Sequence, residues 1–195
     1  MYIPPHFRND DHREQLAFMK AYPFAVFTCN GETLPLVTHL PFVLREENGK
    51  LMLLSHLSAG NPHAHALQDG TDVLVVFSGP NAYVSPSLYE KQENVPTWNY
   101  IAVHASGKIR LLPSAEEKES LLRETIGSFE PGFMTQWETL RPEYVSVMLN
   151  GIVAFAIEVL KLEGKFKLSQ NKTAAERERI AGALEGTGLS SWMKK

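Results

Sequence analysis

The sequence predicts a mainly β protein, an antiparallel sheet or barrel with helices beside it. Runs of branched and aromatic residues recur along the chain and are separated by the pairs Asn30-Gly31 and Asn48-Gly49, which favour antiparallel hairpins. The apolar run at residues 72–78 has the length of a buried strand. Residues 151–159 alternate along their length, as in a strand with two faces that would close the sheet.

Composition bounds the class of protein. The 195 residues are 44% hydrophobic and 21% charged, with a formal net charge of −3, which predicts a single globular domain that does not grip nucleic acid over its whole surface. Cys29 has no second cysteine to pair with, so a reducing, cytoplasmic location is expected. No apolar run approaches the roughly 20 residues that a transmembrane helix needs.

The first elements follow from local signals. Asp11 and Glu14 have the spacing of a capping box before a helix that Pro23 ends. Three strands are then predicted, at residues 24–29, 34–44 and 51–56, and they form an antiparallel meander. Because prolines 35 and 41 fall inside the second run, that strand is expected to be an edge, bulged, or broken where a ligand approaches.

The turn at residues 58–63 is a candidate anion site. Asn61 is placed as the N-cap of a short helix, with Pro62 at its first position. Free backbone N–H groups at this end, beside the side chains of Ser55, His56 and Ser58, would suit a phosphate or a carboxylate. A plain capped connection between strand and helix is the alternative.

The stretch at residues 81–107 mixes aromatic, small and polar residues in a way that core packing does not demand. Alternation along a strand would place Trp98, Tyr100 and His104 on one face. Such a wall suits a flat polar ligand or a second subunit. An ordinary hairpin with an irregular surface is equally compatible with the pattern.

The remainder of the chain is predicted to be helical around one last strand. Ser114 with Glu117, and Thr173 with Glu176, have capping-box spacing, and Pro142 suits a helix start. From about residue 161 a helical, partly basic C-terminal extension of the single domain is expected. Its basic residues are interspersed with glutamates, which favours a solvated face; they are Lys165, Lys167, Lys172, Arg177 and Arg179.

Motifs for other chemistries are lacking from the sequence. It contains no G-x-S-x-G, G-x-G-x-x-G or Walker motif, which argues against a hydrolase elbow and the usual nucleotide-binding loops. His39, His56 and His104 lie on separate predicted strands, and His63 and His65 are two positions apart and so point to different sides of a helix, so no metal site is predicted.

Seven motifs in order, MYIPPHF, THLPF, SHLSAGNPH, YVSPSLY, VPTWNY, VHASG and KLSQNK, resemble the PaiB family of FMN-binding negative transcriptional regulators. The resemblance covers nearly the whole chain. It implies a six-stranded antiparallel Greek-key split β-barrel of the flavin-reductase type, a homodimer with FMN at the subunit interface, and a role as a repressor.

By position, the resemblance implies three groups of FMN-binding residues and no catalytic residue. The ring would lie beside Thr38, His39 and Leu40. The phosphate would be held by Ser55, His56, Ser58, Asn61 and His63. Tyr83, Trp98 and Asn99 would come from the interface wall.

The predicted function is therefore an FMN-binding transcriptional regulator that acts as a homodimer, more a regulator than an enzyme, with DNA contact weak or indirect. A flavin-dependent oxidoreductase of the same fold is an alternative, in which FMN carries the hydride chemistry. Leu88 and Ala64 stand where the family prefers tryptophan. They leave a third alternative, a dimeric barrel that binds no flavin and works by protein contact.

Overall fold

The computed structural model describes residues 1–91 and 93–194. Its strands are β1 (Arg8–Asn9), β2 (Phe24–Cys29), β3 (Leu36–Pro41), β4 (Val43–Glu47), β5 (Lys50–Ser58), β6 (Asp72–Val84), β7 (Thr97–Leu112) and β8 (Ile152–Lys167). Its α-helices are α1 (His12–Ala21), α2 (Ala115–Phe129), α3 (Met134–Trp137), α4 (Pro142–Asn150), α5 (Ala174–Ala183) and α6 (Leu189–Met193). Short 3-10 helices cover Pro5–Phe7, Pro62–Ala66, Pro86–Leu88 and Pro131–Phe133.

The strands hydrogen-bond in the order β3-β2-β6-β7-β8-β5-β4, and β1 pairs with β8 off this path. The pairs β2–β3, β2–β6, β4–β5, β5–β8 and β1–β8 are antiparallel. The prediction of a mainly β, antiparallel fold is confirmed. The predicted strand count of six is not reproduced, because the described residues form an eight-stranded sheet.

One additional strand arises where a single long strand was predicted at residues 34–44. The chain breaks at Phe42, directly after Pro41, and the two halves become β3 and β4 at opposite ends of the sheet order. The prediction of a simple meander is therefore wrong. The prediction that prolines would mark an edge or a break is confirmed, since Pro41 ends an edge strand.

The two Asn-Gly pairs have different outcomes. Asn48 and Gly49 both have positive φ, 52° and 76°, and join β4 to β5 in the tight hairpin that such a pair favours. Asn30 and Gly31 instead begin a six-residue connection between β2 and β3. Gly31 does not adopt a left-handed conformation, so that hairpin lacks the two-residue turn the pair predicts.

Helix starts were predictable from short-range chemistry. Asp11 accepts hydrogen bonds from the N–H groups of Arg13 and Glu14 at the start of α1. Complete capping boxes open α2 at Ser114 and α5 at Thr173. Pro142 begins α4, as expected.

Two strands are longer than predicted. β6 continues beyond the predicted run at residues 72–78, through Gly79 and Pro80, to Val84. β8 continues past residue 159 to Lys167, so the helices of the C-terminal extension begin only at Ala174.

The described residues group into two compact units, and strands β6, β7 and β8 contribute to both. The first unit comprises Met1–Tyr22, Phe77–His104 and Glu163–Lys195. In its core the Phe18 ring packs edge-on against Trp192 and tilted against Phe166. Gly79 lies directly beneath this ring, where an added Cβ would come within 2.7 Å of it.

The second unit comprises Pro23–Val76 and Ala105–Leu162. Phe27 and Phe155 stack at the centre of its core with ring centroids 5.1 Å apart, and Phe42 packs against both. Leu121 of α2 is buried against residues of β4, β5 and β8, which holds that helix on the sheet through apolar contact.

Candidate functional site

The turn after β5 is capped by Asn61, as predicted. The Asn61 side chain accepts a hydrogen bond of 2.9 Å from the N–H of His63, and Pro62 begins the 3-10 helix. The N–H groups of residues 59, 60, 61 and 64 also donate to atoms of the chain. The prediction of free N–H donors at this end is therefore wrong, because atoms of Ser58 and Asn61 and the carbonyl of Gly151 accept their hydrogen bonds.

His63 lies in the core of the second unit, where its side chain is 2% exposed. Its ring stacks on Phe27 with centroids 4.6 Å apart. Nδ1 lies 3.0 Å from the hydroxyl of Thr38, and Nε2 lies 3.1 Å from the sulfur of Cys29. The imidazole thus fastens the turn to strands β2 and β3, and its ring nitrogens point at protein atoms.

Burial keeps this pair uncharged. It lowers the pKa of His63 and raises the pKa of Cys29, because removing water disfavours both the imidazolium and the thiolate. A reactive cysteine needs the thiolate form. The contact between Cys29 and His63 is therefore a structural one.

The other residues predicted around the phosphate differ in access. Ser55 is buried and donates a hydrogen bond of 2.7 Å to the carbonyl of Pro41. His56 is half-buried, and burial lowers its pKa. Ser58 is exposed, and its hydroxyl accepts a hydrogen bond from the N–H of Gly60. Of these three residues, only Ser58 is exposed at the surface.

Edge strand β3 presents the three residues predicted beside the ring. Leu40 faces the core and Thr38 is half-buried on the same side, held by His63 and by the Asn61 amide at 3.4 Å. His39 points to the opposite, solvent side. It stacks there on Phe24, with centroids 6.2 Å apart and planes 23° from parallel.

Phe24, which was not predicted as a site residue, is 62% exposed. Phe24 pairs with Pro41 across the β2–β3 ladder and shares the outer face with His39. Its position as the first residue of an apolar run resembled core packing. Only the register of the hairpin reveals that Phe24 points outward. The strand pairing was therefore needed to find the flat surface that Phe24 forms with His39.

In the first unit, Tyr83 and Trp98 form an exposed aromatic pair. Their rings meet edge-on with centroids 6.0 Å apart, and the side chains are 51% and 53% exposed. Asn99 points the other way and is fully buried, exchanging hydrogen bonds with Ser169 at 2.9 and 3.1 Å. Asn99 therefore anchors the strand that presents Trp98.

The predicted alternation along β7 is confirmed. Residues 99, 101 and 103 are buried, whereas Trp98, Tyr100 and His104 are more accessible. The pKa of His104 is lowered mainly by burial, with a further contribution from the N-terminal amino group and an opposing one from Glu163. The outward face of this strand thus carries two aromatic rings and a neutral imidazole.

The described residues contain neither a metal-binding cluster nor a helix suited to span a membrane. Residues 1–91 and 93–194 contain no group of three or more histidine, cysteine or acidic side chains arranged to hold a metal ion. In the same part of the chain, none of the helices has both the length and the apolar character required to cross a membrane.

Solved structures of other proteins share this fold. The flavocytochrome Anf3 from Azotobacter vinelandii superposes with a TM-score of 0.65 at 20% identity, covering 85% of this chain and 72% of that one. The FAD and heme binding protein from Mycobacterium smegmatis gives a TM-score of 0.67 at 16% identity, covering 92% and 80% of the two chains. At these identities the likeness concerns the fold.

Sequence comparison identifies the family. The chain is 33% identical over 187 residues to the protease synthase and sporulation protein PAI 2 of Bacillus subtilis, covering 95% of this chain and 89% of that protein. It is 30% identical over 197 residues to an uncharacterized protein of Emericella nidulans, covering 80% and 78%. The model of the family described as "Putative FMN-binding domain" matches residues 1–161. The chain therefore belongs to that family and is a relative of the Bacillus protein PAI 2, as its PaiB-like motifs predicted.

Proposed function

We propose that this protein binds FMN and acts as a homodimeric, cytoplasmic regulator of transcription. The observation that carries the flavin part of the proposal is the exposed, flat surface of Phe24 and His39 at the edge of the sheet. Membership of a family described by FMN binding supports the same conclusion. When bound, FMN supplies a redox-active isoalloxazine ring.

The surface at β3 fits one side of such a ring. Strand β3 lies at the end of the sheet order, so among the described strands none pairs with its outer side, and backbone groups there can serve the polar edge of the flavin. Phe24 and His39 offer a stacking face. Thr38 and Leu40 would fix the strand from the core side, through His63 and through burial.

Of the residues proposed around the flavin phosphate, some would contact the ligand and the others would support the turn. Ser58 is exposed and His56 is partly accessible, so these two would meet the ligand. Ser55, Asn61 and His63 would shape the turn through their hydrogen bonds to Pro41, to the turn backbone and to Thr38. No cation lies among these five residues at neutral pH, since burial lowers the pKa of both histidines.

A second copy of the chain would cover the aromatic pair Tyr83 and Trp98. Both rings are about half exposed, and tyrosine and tryptophan at a surface are characteristic of subunit interfaces. Asn99 would keep the strand in place through Ser169. We propose that this pair, presented by each subunit, completes the flavin site at the interface.

Purified protein is expected to show a visible flavin absorption band after incubation with FMN and removal of excess, and to sediment as a dimer. Trp98→Ala should shift sedimentation toward the monomer, because it removes a large interface ring. Tyr144→Ala, at a residue of α4 with a side chain 49% exposed, is the matched control and should leave the dimer intact.

Failure of FMN to bind at millimolar concentration would overturn the flavin proposal. The remaining alternative would then be a dimeric barrel that binds no flavin and works by protein contact. A monomer at micromolar concentration would overturn the interface proposal. Catalytic turnover of the bound flavin with a nicotinamide cofactor would favour an oxidoreductase over a regulator.

DNA binding is proposed to be weak or indirect. The five basic residues of the extension all have partners within the chain. Lys165 donates to the carbonyl of Tyr2, Lys167 to that of Trp98, and Lys172 to the amide oxygen of Asn94. Arg177 and Arg179 donate to the carbonyls of Met193 and Leu88 respectively. With a net charge of −3 per chain, two copies would carry about −6, which opposes approach to DNA.

A titration of promoter DNA at two salt concentrations tests this. We expect the affinity to fall by about a hundredfold for a fourfold rise in salt if roughly four phosphates are contacted. Arg179→Glu should weaken the low-salt binding further, whereas Lys50→Glu, on β5, is the control. Sequence-selective nanomolar binding at physiological salt would contradict the proposal.

A further inference from the structure

The first unit contains a cavity of about 230 Å³ beside the end of β8. Two lysines, Lys167 and Lys172, line it together with Thr97, Asn171 and the ring of Tyr89. The volume is several times the roughly 30 Å³ that a water molecule occupies in the liquid and is below the range of drug-sized ligand sites. It can therefore hold a small charged group.

The two ammonium groups donate hydrogen bonds to neutral acceptors. Lys167 donates to the hydroxyl of Thr97 and, at 2.6 Å, to the carbonyl of Trp98. Lys172 donates to the amide oxygen of Asn94 at 3.1 Å and lies 3.7 Å from the centre of the Tyr89 ring. In the described part of the chain neither forms an ion pair within 4 Å.

Positive charge in the cavity is only partly offset. Burial and the neighbouring Lys165 lower the pKa of Lys167, because both disfavour the charged ammonium group. Backbone hydrogen bonds from Glu90 and Thr173 lower the pKa of Glu176, and Lys172 adds to this effect from a distance. An anion placed between the lysines would be attracted by both and would favour their charged forms.

Neutral donors complete the cavity. An ammonium has three donors, so Lys172 retains donors after its bond to Asn94. The Thr97 hydroxyl accepts from Lys167 and keeps its own hydrogen to donate. Asn171 is exposed, and no hydrogen bond of its side chain occurs within residues 1–91 and 93–194. Two cations with several donors match the double charge and three oxygens of a phosphate monoester better than a carboxylate.

We propose that the cavity between Lys167 and Lys172 binds a phosphate monoester. This inference goes beyond the proposed function and does not depend on it, because it concerns side chains of the first unit alone. The phosphate belongs either to a separate small ligand or to the flavin nucleotide itself, and in the second case it would not lie at Ser58 and His56 as proposed above. Both sources present the same charged group to the lysines.

Isothermal titration with inorganic phosphate at low ionic strength tests the cavity directly. Wild type is expected to bind, and Lys172→Met should weaken binding by about tenfold or more, since hydrogen bonds to a charged group are the strong ones. Lys20→Met removes the same charge from an exposed position of α1 in the same unit. This control should bind phosphate as wild type does.

A second variant guards against a folding defect. Asn171→Ala truncates an exposed side chain and should weaken phosphate binding by roughly two- to tenfold, with an unchanged thermal midpoint. Absence of phosphate binding by wild type, or equal binding by wild type and Lys172→Met, would overturn the proposal.

Flavin titrations then identify the source of the phosphate. If Lys172→Met weakens FMN but not riboflavin, and FMN displaces inorganic phosphate, the flavin supplies the group. If inorganic phosphate binds equally well to FMN-loaded protein, a separate ligand does. If the protein binds no flavin, the proposed function fails, while the phosphate titration still supports or overturns the cavity.

Discussion

Replacing His63 with alanine is expected to lower the free energy of unfolding by about 3 kcal/mol or more. The ring fills space against Phe27 and reaches Thr38 and Cys29 with its two nitrogens. Alanine would leave a cavity at the stacked face and remove both polar contacts, so the turn would lose its attachment to β2 and β3. Chemical denaturation followed by fluorescence and circular dichroism measures the loss.

His65→Ala is the matched control. His65 lies two residues further along the same 3-10 helix, and its side chain is exposed, so its truncation should change the unfolding free energy by no more than about 0.5 kcal/mol. Equal effects of the two substitutions would show that His63 is not the buried anchor described above. A flavin titration on the folded fraction of His63→Ala would separate its support of the turn from direct contact with a ligand.

Gly107→Ala is expected to cost about 3 kcal/mol or more in unfolding free energy. A Cβ built at this residue of β7 would overlap the carbonyl oxygen of Glu158 and come within 2.8 Å of a methyl carbon of Ile157, both in β8. Backbone atoms cannot rotate away as the end of a long side chain can. The two strands would have to separate locally, which adds the loss of pairing to the usual cost of overpacking.

Gly127→Ala provides a control of opposite sign. Gly127 lies inside α2, and nothing lies within 4 Å of a Cβ added there. Alanine should stabilise the protein by about 0.5–1 kcal/mol, because glycine is a poor helix former. The free energies of unfolding of the two variants, measured by thermal and chemical denaturation, should therefore change in opposite directions. Destabilisation by Gly127→Ala comparable to that of Gly107→Ala would contradict the packing described for β7 and β8.

The sequence was most informative where a few neighbouring residues decide the structure. The caps at Asp11, Ser114 and Thr173 and the hairpin at Asn48 and Gly49 need only local hydrogen bonds and backbone preferences. The order of strands depends on contacts between distant segments. Nothing within residues 34–44 shows that its two halves join opposite ends of a sheet.

The candidate site illustrates the same limit. Alternation correctly predicted that Trp98 and Tyr100 share an outward face, since that requires only the period of a strand. The role of His63 could not be predicted, because its partners Cys29 and Thr38 are 34 and 25 residues away in the chain. The turn chemistry at Asn61 was recognised, but the hydrogen bond that the N–H of Ala59 donates to the carbonyl of Gly151, far along the sequence, could not be.

The split of one predicted strand into β3 and β4 also bears on self-association. Each is short, six and five residues, and each lies at an end of the sheet order. Pro41, which has no N–H to offer, closes the first, and Glu46 and Glu47 place charge along the second. Short, charged or proline-bearing edges resist the addition of strands from other molecules, which is how amyloid-like polymers grow. Copies of this chain are thereby steered toward meeting through side-chain surfaces, and a concentrated solution should stay free of fibrils.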